Sequence, residues 1–271
     1  RRRWAFFSSL LAPALSSNPL PPAPGPPPLR DPRKAAEVRH GQAIASRAAS
    51  VWGWASPAGR LRAAHRAHLL ARASELRAGL RVLELGCGIG VFTRQWEATG
   101  ATILAVDISP DLLRAGAAED RGGGGRRAVM DVEALGVRAG AFDVVLGVSV
   151  LHHVDLPRTL AEIGRVLRPG GRIAFSEPNM LNPQVAVQQN SRLLKRLAGG
   201  TPHETAFTRW GMAAALRRHG FADIRIAPFD FLHPLIPRRA IPALARLGAA
   251  AERTPLLREL AGSLLITAAR P

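Results

Sequence analysis

Residues 81–90 read RVLELGCGIG, and the fold follows from this stretch. Val82, Leu83 and Leu85 form a short apolar run that stops at Gly86, after which Gly88 and Gly90 alternate with Cys87 and Ile89. A buried strand that breaks into glycines predicts a loop on which a ligand can lie against bare backbone, because glycine places no Cβ in the contact. Glu84 sits inside the apolar run, where an unpaired carboxylate is costly, so a hydrogen-bond donor or a cationic ligand is expected beside it.

Outward from the loop, strands and helices alternate. Residues 91–99 read as a helix, and 101–106 (ATILAV) as a second buried strand ending in Asp107. A helix is expected at 111–118, a flexible turn at 122–125, and a short strand at 128–130 before Asp131. Residues 142–150 form the next strand, 156–167 a helix closed by Pro169, Gly170 and Gly171, and 172–176 a fifth strand ending at Glu177. This alternation predicts an α/β fold with a parallel, doubly wound sheet. Further on, 208–219 reads as a helix stopped by Gly220, and 222–226 and 263–268 as two last strands.

Composition bounds the rest. A chain of 271 residues, 47% hydrophobic, can bury one sizeable core, and no apolar run nears the roughly 20 residues of a membrane-spanning helix. Cys87 is the only cysteine, which excludes an internal disulfide. The net charge of +17 is uneven: 13 Lys+Arg face 3 Asp+Glu before residue 81, 11 face 12 across 81–180, and 13 face 5 after that. The core is neutral and its flanks are basic. Lys34 and Lys195 are the only lysines and stacking aromatics are scarce among the arginines, so solvated charge outweighs a nucleic-acid groove.

Residues 1–17 have the basic start, apolar stretch and small residues of a targeting segment, interrupted by Pro13, and 18–32 are proline-dominated and read as an extended linker. The expected organisation is an Arg/Pro-rich extension at 1–34 and one cytoplasmic domain at 35–271, with helices at 35–50 and 57–76, the second capped by Ser56. Trp52 and Trp54 between them either staple the helices to the core, the favoured reading, or line a substrate mouth. Segments 179–206 and 231–262 read as insertions capping the strand ends. The second, with its FDFLHPLIP run and Arg238–Arg239, would form an apolar lid with a basic rim.

Five features in order, ELGCGIG at 84–90, Asp107, Asp131, LHHV at 151–154 and RVLRPGG at 165–171, make the chain from about Trp52 onward resemble the class I S-adenosylmethionine-dependent methyltransferases, particularly a bacterial small-molecule, ubiquinone-biosynthesis-like group. The G-x-G-x-G spacing differs from the dinucleotide fingerprint G-x-G-x-x-G, which cradles a pyrophosphate. The resemblance implies a Rossmann-like, mostly parallel seven-stranded sheet with helices on both faces and an antiparallel last strand.

It also implies S-adenosylmethionine as cofactor, with donor-site residues Glu84, Gly86, Cys87, Gly88, Gly90, Asp107, Ile108, Asp131, Val132 and Gly147. Glu84 would serve the amino end of the donor, Asp107 the ribose hydroxyls, and Asp131 with the Val132 backbone the adenine. Asp107 and Asp131 have competing roles as a helix cap and a turn aspartate. His152, His153 and Glu177 are the candidates for catalysis, His153 with a competing structural role; His203 and Glu204 lie on the inserted segment.

No Cys/His cluster has zinc-ligand spacing, and no metal is expected. The acceptor would be a small or lipid-linked molecule, with O-methylation favoured and peripheral membrane contact in reach of the lid. An RNA-modifying enzyme recruited through the basic arms, and a binding or scaffold protein without turnover, are the alternatives.

Overall fold

The computed structural model describes residues 31–120, 126–191 and 205–271. The expected turn at 122–125, the first thirty residues, His203, Glu204 and all but the first residue of the basic helical patch that 191–197 reads as fall outside them. Helix α1 (Pro32–Ile44) and α2 (Pro57–Ala73) precede β1 (Arg81–Leu85), α3 (Thr93–Glu97), β2 (Thr102–Asp107), α4 (Pro110–Glu119), β3 (Arg126–Val129) and β4 (Phe142–Val148). Then come α5 (Leu156–Val166), β5 (Leu167–Pro178), α6 (Pro183–Asn190), α7 (Arg209–Arg218), β6 (Ala222–Phe229), α8 (Ile241–Arg253) and β7 (Ser263–Ala269).

The seven strands lie in the order β3-β2-β1-β4-β5-β7-β6. Strands β1 to β5 pair in parallel, and β7 runs antiparallel to both β5 and β6. Both faces are covered, which is why the strands read as continuous apolar runs rather than alternating ones. Leu83, Leu85, Ile173 and Phe175 point to the face carrying α5 and α7, through Leu160, Ile163, Met212 and Leu216. Val82, Val144, Leu146 and Ala174 point to the other, against Ala67 and Leu70 of α2, and Phe92 and Trp96 at α3.

Local chemistry sets the helix starts. Ser56, Ser109, Asp155, Asn182 and Thr208 each accept a backbone N–H of the first turn, with proline opening four of those five helices. Two boundaries differ from expectation. Helix α1 starts at Pro32, capped by Asp31, and its Arg33 and Lys34 reach acidic groups of the domain, so ordered structure begins before residue 35. The RPGG run belongs to the lead-in of β5 rather than to a helix stop, because α5 already ends at Val166 and Gly170 donates to the Arg270 carbonyl beside β7.

Leu146 is fully buried at the centre of β4. Leu146→Ala is expected to cost about 2–5 kcal/mol of unfolding free energy, read from urea midpoints, whereas Val187→Ala on exposed α6 should change it by less than about 0.5.

Candidate functional site

Strand β1 pairs with β2 on one side and β4 on the other, so the segments leaving β1 and β4 diverge and open a crevice at the carboxyl ends of the strands. A cavity of about 470 Å³ fills this crevice and extends beneath the segments that follow β5 and β6.

Gly86, Cys87 and Gly88 form its floor. Gly86 and Gly88 have φ of +63° and +52°, and a Cβ on them would lie 2.6 Å from Val150 and 2.8 Å from Trp52. No other residue fits either position without displacing a wall of the cavity. Asp107, at the end of β2, accepts the Gly88 N–H at 2.8 Å on Oδ2 and the Ser109 N–H at 2.9 Å on Oδ1. Burial raises its pKa against the pull of those two donors. Asp107 lines the cavity beside Ile108. The helix cap proper is Ser109, whose hydroxyl takes the Leu112 N–H.

Asp131 and Val132 also line the cavity. Asp131 Oδ2 accepts from Lys34 Nζ at 2.6 Å, and Oδ1 takes the Glu133 N–H at 2.9 Å. Lys34 also pairs with Glu133 at 2.8 Å, and Arg33 bonds Glu133 and the His153 carbonyl. Residues expected in an extension thus form a wall of the site.

Four expected site residues are not in the lining. Glu84 lies behind the loop, 2% exposed, where it accepts the Thr93 hydroxyl at 2.6 Å; burial raises its pKa to about 8. Thr93 is the donor that the apolar strand called for. A Cβ on Gly90 would meet the Arg127 guanidinium, and one on Gly147 would meet Phe175 and Val150, so close packing alone requires a glycine at both. Glu177 is wholly buried under the cavity: Oε1 accepts the N–H groups of Val150 and Leu151 at 2.9 and 2.8 Å, and Oε2 lies 2.7 Å from His152 Nδ1. It positions His152 and does not itself reach a ligand.

His152 and His153 do line the cavity, their rings 4.1 Å apart, with His153 Nδ1 3.3 Å from Glu37. A carboxylate can only accept, so the neutral tautomer that pairs with Glu177 carries its hydrogen on Nδ1 of His152 and has Nε2 as an acceptor. Burial and the neighbouring Glu84 and Asp107 push the Cys87 thiol up, which leaves it a poor nucleophile. Among the described residues no cluster of His, Cys, Asp and Glu is placed to hold a metal ion, and no helix is long and apolar enough to cross a membrane.

At the far end of the cavity Trp52 and Trp54 form part of the lining, the second of the two roles the sequence offered, and Trp54 stands edge-on to Phe92 at 5.5 Å. Sequence reasoning missed the charged cluster beside them. Arg62 and Arg66 of α2 converge there on Asp230, just past β6. The one sequence signal was the spacing of the two arginines, which puts them on one helix face.

A family model described as a methyltransferase domain matches residues 83–175. A malonyl-[acyl-carrier protein] O-methyltransferase of Pseudescherichia vulneris is 31% identical over 197 residues, covering 70% of this chain and 74% of that one. A ubiquinone biosynthesis O-methyltransferase of Methylococcus capsulatus is 29% identical, over 63% and 76% of the two chains. With a malonyl-[acyl-carrier protein] O-methyltransferase of Pectobacterium atrosepticum the identity is 36%, but the match spans only 36% of this chain and 38% of that relative's length. The solved S-adenosylmethionine-dependent methyltransferase of Mesorhizobium loti is 25% identical with a TM-score of 0.58, over 75% of this chain and 96% of that one. The chain belongs to the S-adenosylmethionine-dependent methyltransferases, and S-adenosylmethionine is its cofactor.

The glycine floor, which leaves no room for a Cβ, and the strand-end carboxylate of Asp107 fit a nucleoside-bearing group. Between pH 4.5 and 8 the folded chain holds a proton on Glu84 that the unfolded chain releases, so this group makes stability fall as pH rises through that window. The slope is at most about 1.4 kcal/mol per pH unit. Glu84→Gln keeps the acceptor for Thr93 and is expected to remove this contribution. Urea unfolding of both proteins at pH 5.5 and 7.5 checks it, and equal pH dependence in the two would refute it.

Proposed function

We propose that the protein transfers the methyl group of S-adenosylmethionine to an oxygen of a small or lipid-linked acceptor. The observation that carries this reading is one cavity in which the loop 86–88, Asp107, Asp131 and Val132 meet a histidine held by a buried carboxylate. Gly86, Cys87 and Gly88 would lie along the donor, Asp107 would accept from its ribose hydroxyls, and Asp131 with the Val132 and Ile108 backbone would border the base. Lys34 already occupies one oxygen of Asp131, so an amino group there would share that carboxylate with the lysine.

When bound, S-adenosylmethionine supplies an electrophilic methyl group on a sulfonium. His152 would remove the proton of an acceptor hydroxyl at Nε2, and Glu177 would fix its tautomer and stabilise the charge that forms. Alignment in a cavity shielded from water supplies the rest of the rate. Segments 179–191 and 231–262 would cap the acceptor: Asn182, Val185 and Gln188 line the cavity from one, Phe231, Leu232 and Pro234 from the other.

The names of the relatives, an acyl-carrier-protein O-methyltransferase and a ubiquinone biosynthesis O-methyltransferase, support an oxygen acceptor. Leu244, Leu247, Leu256 and Leu257 are exposed on and after α8 beside exposed Arg246 and Arg253, which supports a cytoplasmic protein touching an anionic membrane surface.

Calorimetry with S-adenosylhomocysteine should show binding that Asp107→Ala weakens about ten- to hundred-fold. A screen of hydroxyl-bearing metabolites with methyl-labelled donor should show O-methylation. His152→Ala should then lower kcat by about 10²–10⁴ while leaving S-adenosylhomocysteine affinity unchanged. A folded protein that binds no S-adenosylhomocysteine, or transfer untouched by His152→Ala, would refute the respective assignment.

A further inference from the structure

At the donor end of the cavity carboxylates outnumber cations, and each group is engaged. Lys34 pairs with Asp131 and Glu133, Arg33 with Glu133, and Asp107 is held by two backbone N–H groups. The acceptor end is different. Arg62 and Arg66, one helical turn apart on α2, share a single carboxylate: Arg62 Nε and Arg66 Nη2 both reach Asp230 Oδ2, at 2.9 and 2.6 Å.

Arg66 is 4% exposed, with Nη1 donating to the Ser176 hydroxyl at 3.1 Å and Nη2 also to that of Ser263 at 2.6 Å, while its Nε is buried without a hydrogen-bond partner among the described residues. Arg62 engages only Nε. Among the described residues its two terminal nitrogens have no partner, and its guanidinium carbon lies 5.6 Å from the centre of the Trp54 ring. Nearby His233 is kept neutral at pH 7, because burial and then Arg62 push its pKa down from 6.5. Glu252 accepts the Asp230 N–H but does not line the cavity.

Two guanidinium groups therefore face one carboxylate in a partly desolvated setting. Burial, then Arg66, lower the Arg62 pKa to about 10, so Arg62 stays cationic at neutral pH. A planar fork with two open N–H donors matches a carboxylate in shape, and one unbalanced positive charge matches it in valence. A phosphate dianion would need a second accessible cation, and Arg66, 4% exposed and paired with Asp230, does not supply one.

We propose that Arg62 anchors a carboxylate carried by the methyl acceptor, with Trp54 packed against the body of that molecule. The substrate class is then a hydroxy acid whose hydroxyl is served by His152 and whose carboxylate is held by Arg62. This rests on the methyltransferase reading above and narrows its acceptor. Arg62 acts on specificity and not on the reacting atoms.

The test is titration calorimetry on the full chain, first with S-adenosylhomocysteine alone and then, with that site saturated, with matched pairs. The pairs are 3,4-dihydroxybenzoate and its methyl ester, and 3-hydroxydecanoate and its methyl ester. In at least one pair the carboxylate should bind ten-fold or more tightly than the ester. Arg62→Gln should abolish that preference and Arg62→Lys retain part of it, with S-adenosylhomocysteine affinity unchanged in both. Equal binding of acid and ester in both pairs, a measurement that needs no variant, overturns the anchor alone; so does a preference that survives Arg62→Gln. Failure of S-adenosylhomocysteine to bind in the first titration overturns the donor assignment and the anchor with it.

Discussion

The Gly88 N–H and the Asp107 carboxylate, 2.8 Å apart, tie the loop after β1 to the end of β2. That bond fixes the loop where the strand order turns and no crossover helix can cover both neighbours. The same carboxylate holds Ser109, the cap of α4, so loop, strand and helix meet on two oxygens. Burial makes the charged form of Asp107 costly, and the two N–H groups offset part of that cost. A ligand hydroxyl would add a donor to a group already short of solvent.

Buried charge elsewhere is concentrated at the carboxyl ends of the strands. Glu84, Asp107, Glu177 and Asp230 are each under 9% exposed, and Arg66 joins them from α2. Such groups rarely add to stability, since desolvating them costs several kcal/mol that their partners only partly return. The opposite ends of the strands instead carry half-exposed pairs such as Arg81 with Asp143, tied at 3.1 Å. This asymmetry is the usual mark of a site, where side chains are held for chemistry at the expense of the fold.

What was legible in the sequence was what depends on neighbours along the chain. The strands, the glycine floor, Asp107 at a strand end, and the Ser56 cap all follow from local pattern. Which face a strand-end residue takes does not. Gly90, Gly147 and Glu177 sit one or two residues from lining positions yet turn into packing, because alternation along a strand and the turn after it sends neighbours to opposite sides. Arg66 and Asp230 were invisible as a pair: 164 positions separate them, and an arginine on an Ala/Arg-rich helix reads as solvated.

The division has a structural origin. Loops after β1, β2, β3 and β4 build one half of the cavity, the half proposed for the donor, each a few residues beyond a strand whose position the sheet dictates. The other half comes from α2 and from segments following β5 and β6, brought together only by the fold. One bond shows how they are registered: the Ser56 hydroxyl, while capping α2, also donates to the Pro234 carbonyl at 2.7 Å. It fixes the start of the helix bearing Arg62 against the segment bearing His233, and Asp230 fixes its next turns. The acceptor pocket is thus clamped at two levels along one helix. A change of substrate in such a scaffold would need new side chains on that face of α2 and on the segment after β6, while the strand-end loops that serve the donor stay as they are.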